Sequence, residues 1–410
     1  MIDLYNLNVS EKHKNILTIL NHIISTGGSS AADIVASTNL SIATASRTLV
    51  LLRKLKLVVS KGKEITDMGR HPDIFSINSR YGFLLHFYMG ADYIKGYMMD
   101  LGGNVVLSGT EKITRNITID EFVEKLRRLI GALTGNNEII LKKVLALGIA
   151  VPGFVDEKNK VIRRIPNIYN FEGVNLFDRV KDILDVPVLI NNQARLSVLG
   201  EHFGRFEHCK NMVYIDFTKY SGIGAGIILN GRLHTGKNSA AGEVGDSMTD
   251  IGNFDKAGCR KEGCLEATAG LGNLFANVRA LMDKGGAQIL RDLLEQNGQV
   301  LSLTLIEQAC ILQDEDVLKV FDETMKRWAM AIVNMTVILD PDLVLLGGAL
   351  GSANTSVLFR IQNYLSKILF YDVDIRLSEL GEDAQLLGGI HLLKKHVYNH
   401  VITNMIIQGA

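Results

Sequence analysis

The chain has 410 residues, 47% of them hydrophobic and 21% charged, which leaves room for roughly two to four domains and a sizeable core. Its 44 Lys/Arg balance 44 Asp/Glu, so it is neither uniformly basic nor uniformly acidic. No apolar run is long enough to cross a membrane, the terminus MIDLYNLNVSEKHK is too polar for a signal peptide, and four cysteines make no disulfide framework in a protein this large. A cytoplasmic protein is expected.

The charge is uneven. Through Phe75 there are nine Lys/Arg and six Asp/Glu, which leaves this segment at +3 and the remainder at −3. In this segment KHKNILTILNHIISTGG puts apolar residues at 16, 17, 19, 20, 23 and 24 and predicts a helix closed by Gly27–Gly28. SSAADIVASTN predicts a second, short helix capped by Ser29 or Ser30. Ser41 caps a third, IATASRTLVLLRKLK, with Ile42, Ala45, Leu49, Leu52 and Leu55 as its apolar face. A loop of about three or four residues between helices two and three has helix-turn-helix spacing.

Thr44, Ser46 and Arg47 lie away from that apolar face, at the helix start capped by Ser41. Small hydroxyl residues allow close approach to a DNA groove, and an Arg reaches a base edge or a phosphate. LKLVVSKGKEITDMGRHPDIFSIN then reads as a wing tipped by Lys61, Lys63, Arg70 and His71. Turn length, hydroxyl-rich helix start and basic wing together predict a DNA-binding winged helix over 1–78 rather than a helical protein-interaction module.

From about Tyr81 the pattern changes to strands. Three runs (LLHFYMGADY, IKGYMMDLGG, NVVLSGTEKI) precede a helix and the apolar strand VLALGIAVPG. The second half repeats the plan with NMVYIDFTK, GIGAGIILNG, a short third run, helices, and LVLLGGAL. Two similar lobes facing a cleft are expected, and such a cleft is the natural ligand site. Lobe one spans about 79–190 and lobe two about 191–380, and the carboxyl-terminal segment packs on lobe one, the domain junction or a partner chain.

Five short stretches meet at that cleft: AVPGFVD, RRIPN, INNQA, AGEVG and GCLE. In this order, behind a winged helix, the chain resembles the ROK family of repressors and sugar kinases, including its xylose and N-acetylglucosamine repressors. The resemblance implies a two-lobed α/β domain of the actin/hexokinase-like ATPase fold over 79–410. In the family it implies that Asn167, Asn192, Glu243 and Glu266 contact sugar hydroxyls.

Three departures from the family's kinases bear on chemistry. Their phosphate turn, Asp-x-Gly-Gly-Thr, matches Asp92 to Gly96, with Ile94 and Lys95 where the glycines would admit phosphate. SGIGAG, in the second lobe, keeps its glycines, for phosphate or for close strand packing. At the general-base Asp of the pattern Glu-Asn-Asp-Ala-Asn this chain has Gln193, which cannot accept a proton, and Asn191 replaces the leading Glu. The family's zinc set of one His and three Cys is reduced to Cys259 and Cys264, with Asp246 for the His and Ala257 for the first Cys. Two thiolates and a carboxylate are a poor tetrahedral set, and buried free thiols are the alternative. Since that His also contacts sugar in the resemblance, Asp246 joins Gln193 among the expected ligand-facing residues.

The expectation is a DNA-binding transcriptional repressor of carbohydrate metabolism, without catalytic residues or a cofactor. It binds operator DNA as a homodimer or homotetramer and senses a sugar or sugar phosphate. The alternatives are an ATP-dependent hexose kinase with an accessory DNA-binding domain, or a regulator that answers only to a protein partner.

Overall fold

The computed structural model describes residues 10–63, 73–165, 168–218, 222–250, 252, 262–298, 300–352 and 355–409. Three helices open it: α1 (Glu11–Thr26), α2 (Ala31–Thr38) and α3 (Ile42–Lys54). Hydroxyls cap all three, and each relieves a helix-start N–H that has no partner within the helix. Ser10 Oγ accepts from His13 N, Ser30 and Asp33 form a reciprocal capping box, and Ser41 Oγ accepts from Thr44 N. Asn39, in the left-handed region at φ 57°, turns the chain so that Asn39, Leu40 and Ser41 alone separate α2 from α3.

The antiparallel strands β1 (Val58–Lys63) and β2 (Asp73–Ile77) follow. Ser29 and Phe75 exchange backbone hydrogen bonds of 2.9 Å in both directions, which ties this wing to the helices. The unit is a winged helix-turn-helix. One expectation is corrected: Ile42 is 57% exposed, and the buried face of α3 is Ala45, Thr48, Leu49 and Leu52.

The remainder is one plan built twice. Lobe one runs through β3 (Phe83–Met89), β4 (Tyr93–Asp100), β5 (Val105–Lys112), helices α4 (Ile119–Thr134) and α5 (Glu138–Leu141), and β6 (Val144–Val151). It continues with a small hairpin, β7 (Phe154–Asp156) and β8 (Val161–Arg164), then α6 (Leu176–Lys181) and β9 (Val188–Asn192). Its main sheet has the order β5-β4-β3-β6-β9; β3 to β5 are antiparallel, and β6 and β9 run parallel to β3. Strand β6 is apolar throughout because both of its faces are covered.

Helix α7 (Gln193–Arg205) leads into lobe two, which begins with β10 (Met212–Phe217), β11 (Ile223–Leu229) and β12 (Arg232–Leu233). Five helices come next: α8 (Leu265–Ala269), α9 (Leu271–Asp283), α10 (Gln288–Asn297), α11 (Leu303–Ile311) and α12 (Glu315–Leu339). Strand β13 (Leu343–Gly348), α13 (Thr355–Ile368) and β14 (Ile375–Leu377) complete the lobe. The order β12-β11-β10-β13-β14 repeats the topology of lobe one, again with two parallel strands beside an antiparallel meander. Among the described residues no helix is long and apolar enough to cross a membrane.

Helix α14 (Glu382–His396) crosses α7 and continues through a π-helical stretch, Val397–Ile402, into α15 (Thr403–Gly409). Val397, Tyr398, Ile402 and Ile406 share one apolar cluster with Ile16, Leu20 and Leu49 of the winged helix. Tyr81 Oη also donates to Met405 Sδ at 2.8 Å. The carboxyl-terminal segment is therefore the joint between the winged helix and lobe one.

His86 of β3 lies fully inside this framework, packed between Gly148 and Gly389 with neither ring nitrogen hydrogen-bonded. Burial holds its imidazole down to about 4, against an ordinary 6.5. The unfolded chain takes up this proton more readily, so stability is full above about pH 6.5 and falls as the pH drops toward 4. The slope is worth on the order of 3 kcal/mol. Urea unfolding of wild type and His86→Leu between pH 7 and 4.5 checks this, and the variant is expected to show a visibly flatter pH dependence.

Candidate functional site

Ser41, Ser46 and Arg47 are exposed on the first two turns of α3, while Thr44 is half-buried. Thr44 Oγ1 lies 2.9 Å from Ser41 Oγ, so these two hydroxyls order the helix start. Arg47 is held only by Nε to Ala43 O at 3.2 Å, a bond within its own helix that a DNA contact can replace. Ile42 and Val50, 57% and 66% exposed, flank Ser46 at four-residue steps on the same open face. Lys61 is exposed on β1, and Lys63 is placed by its backbone alone. Arg70 and His71 lie outside the described residues.

In the lobes, β9 delivers Asn191, Asn192 and Gln193 to the start of α7. Asn192 caps that helix: its Oδ1 accepts from Arg195 N at 3.2 Å, and its Nδ2 donates to Gly153 O at 2.6 Å. Gln193 is 8% exposed, and its Nε2 donates to Met89 O, the last residue of β3, at 2.7 Å. The side chain at the expected base position thus fastens the start of α7 to the end of β3, two strands from β9, as an amide donor can and a carboxylate cannot.

From lobe two, Glu243, Asp246 and Glu266 gather around Arg164 of lobe one. The loop holding the first two packs tightly on β11; a Cβ on Gly242, whose φ is +95°, would stand 2.0 Å from Ala225 O. Glu266 accepts from Ile223 N at 3.4 Å. Burial pushes the carboxyls of Glu243 and Glu266 up, and the Arg164 guanidinium opposes it at both.

Arg164 comes from lobe one, on β8. Its Nη1 bonds Asp246 Oδ1 at 3.1 Å, and its Nη2 lies 3.7 Å from Glu243 Oε2. Arg195, 1% exposed, bonds Glu157 Oε1 at 3.2 Å and also donates to Ser239 O in lobe two. Two guanidinium groups therefore span the junction of the lobes. The sequence reading missed both, although Arg164 shares the inward face of β8 with buried Ile162.

The β3–β4 turn, the expected phosphate turn, is short. Gly90 N donates to Tyr93 O at 2.8 Å and Met89 pairs with Ile94, so Ala91 and Asp92 alone form the β3–β4 turn. This corrects one expectation: Ile94 and Lys95 do not fill a turn but already belong to β4, because the hairpin is short. The Tyr93 ring covers Gly90, its Oη donates to Glu382 Oε1 at 2.7 Å, and Tyr88 packs edge-on at 5.6 Å. Across from it, at the end of β10, burial pushes the Asp216 carboxyl up to about 6. The glycines of β11 serve packing: a Cβ on Gly226 would stand 2.3 Å from Ala194 O of α7.

Cys264 is a buried free thiol. Asp246 is engaged by Arg164, Cys259 lies outside the described residues, and no group of three or more possible ligands occurs among those described. The described donors do not fit a structural zinc.

The ROK family model matches residues 87–396. The chain belongs to the ROK family. A xylose repressor from Bacillus spizizenii is 26% identical over 397 residues, covering 94% of this chain and 96% of that protein. A glucokinase from Halalkalibacterium halodurans is 28% identical over 258 residues, 62% of this chain and 77% of its own. Among solved structures, a ROK family transcriptional regulator, a homologue of the E. coli MLC protein, superposes with a TM-score of 0.77 at 22% identity. That match covers 97% of this chain and 99% of the other, so the ROK fold extends here through the winged helix. Asn167, the remaining ROK sugar position of the sequence reading, lies outside the described residues.

Proposed function

We propose that this chain is a DNA-binding transcriptional repressor of carbohydrate metabolism whose two-lobed domain binds a sugar without phosphorylating it. The winged helix comprises residues 1–78 and the sensing domain 79–410. Likeness to a xylose repressor along almost the whole chain supports this reading. The observation that carries it is Gln193, an amide in the place of the general base, bonded to Met89 O. The short β3–β4 turn, with the Tyr93 ring over Gly90, argues in the same direction.

In this reading Glu243, Asp246 and Glu266 accept hydrogen bonds from sugar hydroxyls. Asn192 and Gln193 add their remaining amide groups, and Asn167 completes the set. Ser41, Thr44, Ser46 and Arg47 read the major groove while Lys61, Lys63, Arg70 and His71 contact phosphates. Two copies related by a twofold axis bind a palindromic operator. Sugar binding changes operator affinity to the extent that it prefers one arrangement of the lobes.

The test of the non-catalytic half is an ATP-coupled assay over a hexose panel with wild type and Gln193→Asp. No turnover is expected from either, because restoring the carboxylate does not reopen the phosphate turn. Turnover by the wild type would favour the kinase reading, with the winged helix as an accessory.

A further inference from the structure

We propose that the junction of the lobes carries a second binding site, a basic pocket that holds a phosphate group between Lys158 and Arg163 of lobe one and Lys237 of lobe two. It lies apart from the acids around Arg164 and stands whether or not the cleft binds a sugar.

The β7–β8 hairpin, through Phe154, Asp156, Lys158, Asn159 and Arg163, lines one side of a cavity of about 300 Å³, and Lys237 and Asn238 line the other. Three cations thus stand against one carboxylate, and that carboxylate is already engaged. Asp156, 7% exposed, accepts from Asn159 N at 3.0 Å and Nδ2 at 2.8 Å, and from Arg163 Nε at 3.1 Å and Nη2 at 2.7 Å. These bonds from Asn159 and Arg163 hold its carboxyl down to about 2, so the pair stays ionised and Arg163 stays in place. They use two of the five guanidinium N–H groups, and with the side chain 48% exposed the others are open to a ligand. Lys158 and Lys237 are exposed, and neither forms an ion pair among the described residues. Glu157, beside Lys158 in sequence, turns instead to Arg195 at 3.2 Å.

Strand geometry keeps this positive charge apart from the neighbouring acids. Successive residues of a strand point to opposite faces, so Arg164 meets Asp246 and Glu243 while Arg163 meets the pocket. A planar guanidinium and two ammonium groups are the donor set of a phosphate, which accepts several charge-assisted hydrogen bonds and carries close to two charges. A carboxylate, with one charge, would leave a lysine uncompensated. Phe154 and the amides of Asn159 and Asn238 line the rest of the cavity, so a small phosphate monoester is accommodated as well as the free ion. Because both lobes contribute cations, the bound group ties them together beside the Arg195–Ser239 link.

The test is titration calorimetry on the full chain in low-salt buffer at about pH 8, where phosphate is a dianion. The probes are inorganic phosphate, glycerol 3-phosphate and, as the uncharged control, glycerol. Wild type is expected to bind at least one phosphate with a Kd of about 1 mM or tighter, and glycerol not at all. Lys158→Gln and Lys237→Gln, both at exposed positions, each weaken binding about fivefold or more, and Lys237→Arg retains it. Tighter binding of glycerol 3-phosphate identifies an organic phosphate as the ligand, and equal or tighter binding of inorganic phosphate identifies the free ion. Failure of both phosphates to bind at about 10 mM, glycerol binding as tightly as its phosphate, or either Gln variant binding as tightly as wild type overturns the proposal.

Discussion

Gly388→Ala is expected to lower the thermal stability of the folded protein sharply. A Cβ at Gly388 would stand 1.8 Å from Leu196 O, and one at Gly200 would stand 1.8 Å from Ala384 O. The crossing of α7 and α14 is thus reciprocal, backbone on backbone, with no side chain that can swing aside. To admit a methyl the helices must separate by about 1.5 Å, which strains the packing on both sides and costs about 3 kcal/mol or more. For a chain of this size, that is a fall in Tm of roughly 3–4 °C or more. Gly204→Ala is the control, since its Cβ would meet only Leu387 Cδ1 at 3.8 Å and Leu380 Cδ1 at 3.9 Å, both ordinary contacts. Scanning calorimetry of the three proteins decides the matter; a Gly388→Ala Tm within a degree of wild type would refute the tight crossing.

The second large effect is on DNA binding. Arg47→Ala is expected to weaken operator binding by roughly 10- to 100-fold, the worth of one good base contact of about 1–3 kcal/mol. Arg47 is exposed and its one hydrogen bond stays within α3, so the substitution leaves Tm unchanged. Lys61→Ala should behave differently, weakening all DNA sequences about equally and lowering the salt slope by about one. Anisotropy titrations on operator and scrambled DNA at two salt concentrations separate the two outcomes.

What the sequence made legible was local. Helix caps at Ser30 and Ser41 and the strand runs of both lobes follow from hydroxyl placement and hydrophobic period, and the structure repeats them. Ile42 was misread because its spacing fits the apolar stripe of α3 while its position in the first helical turn leaves it in solvent. The phosphate turn was misplaced because residue matching alone does not reveal a shortened hairpin; the Met89–Ile94 pairing does.

Other features could not be read locally at all. The ion pair of Arg164 with Asp246 joins residues 82 apart in sequence, and Arg195 reaches Ser239 across 44. Nothing in RRIPN or INNQAR fixes the partner of either guanidinium. The role of Gln193 depends likewise on Met89, 104 residues away. The sequence places an amide at the expected base position, and the fold shows what that amide does.

The central claim joins the two halves of the molecule: sugar in the cleft changes the grip of the winged helix on DNA. The most direct measurement is fluorescence anisotropy of the full chain on DNA upstream of its own gene, titrated with and without D-xylose, D-glucose and N-acetylglucosamine. The account predicts specific binding without sugar and a loss of about tenfold or more in operator affinity with at least one of them. Operator affinity that no sugar alters, or no specific binding to the upstream DNA, would contradict it.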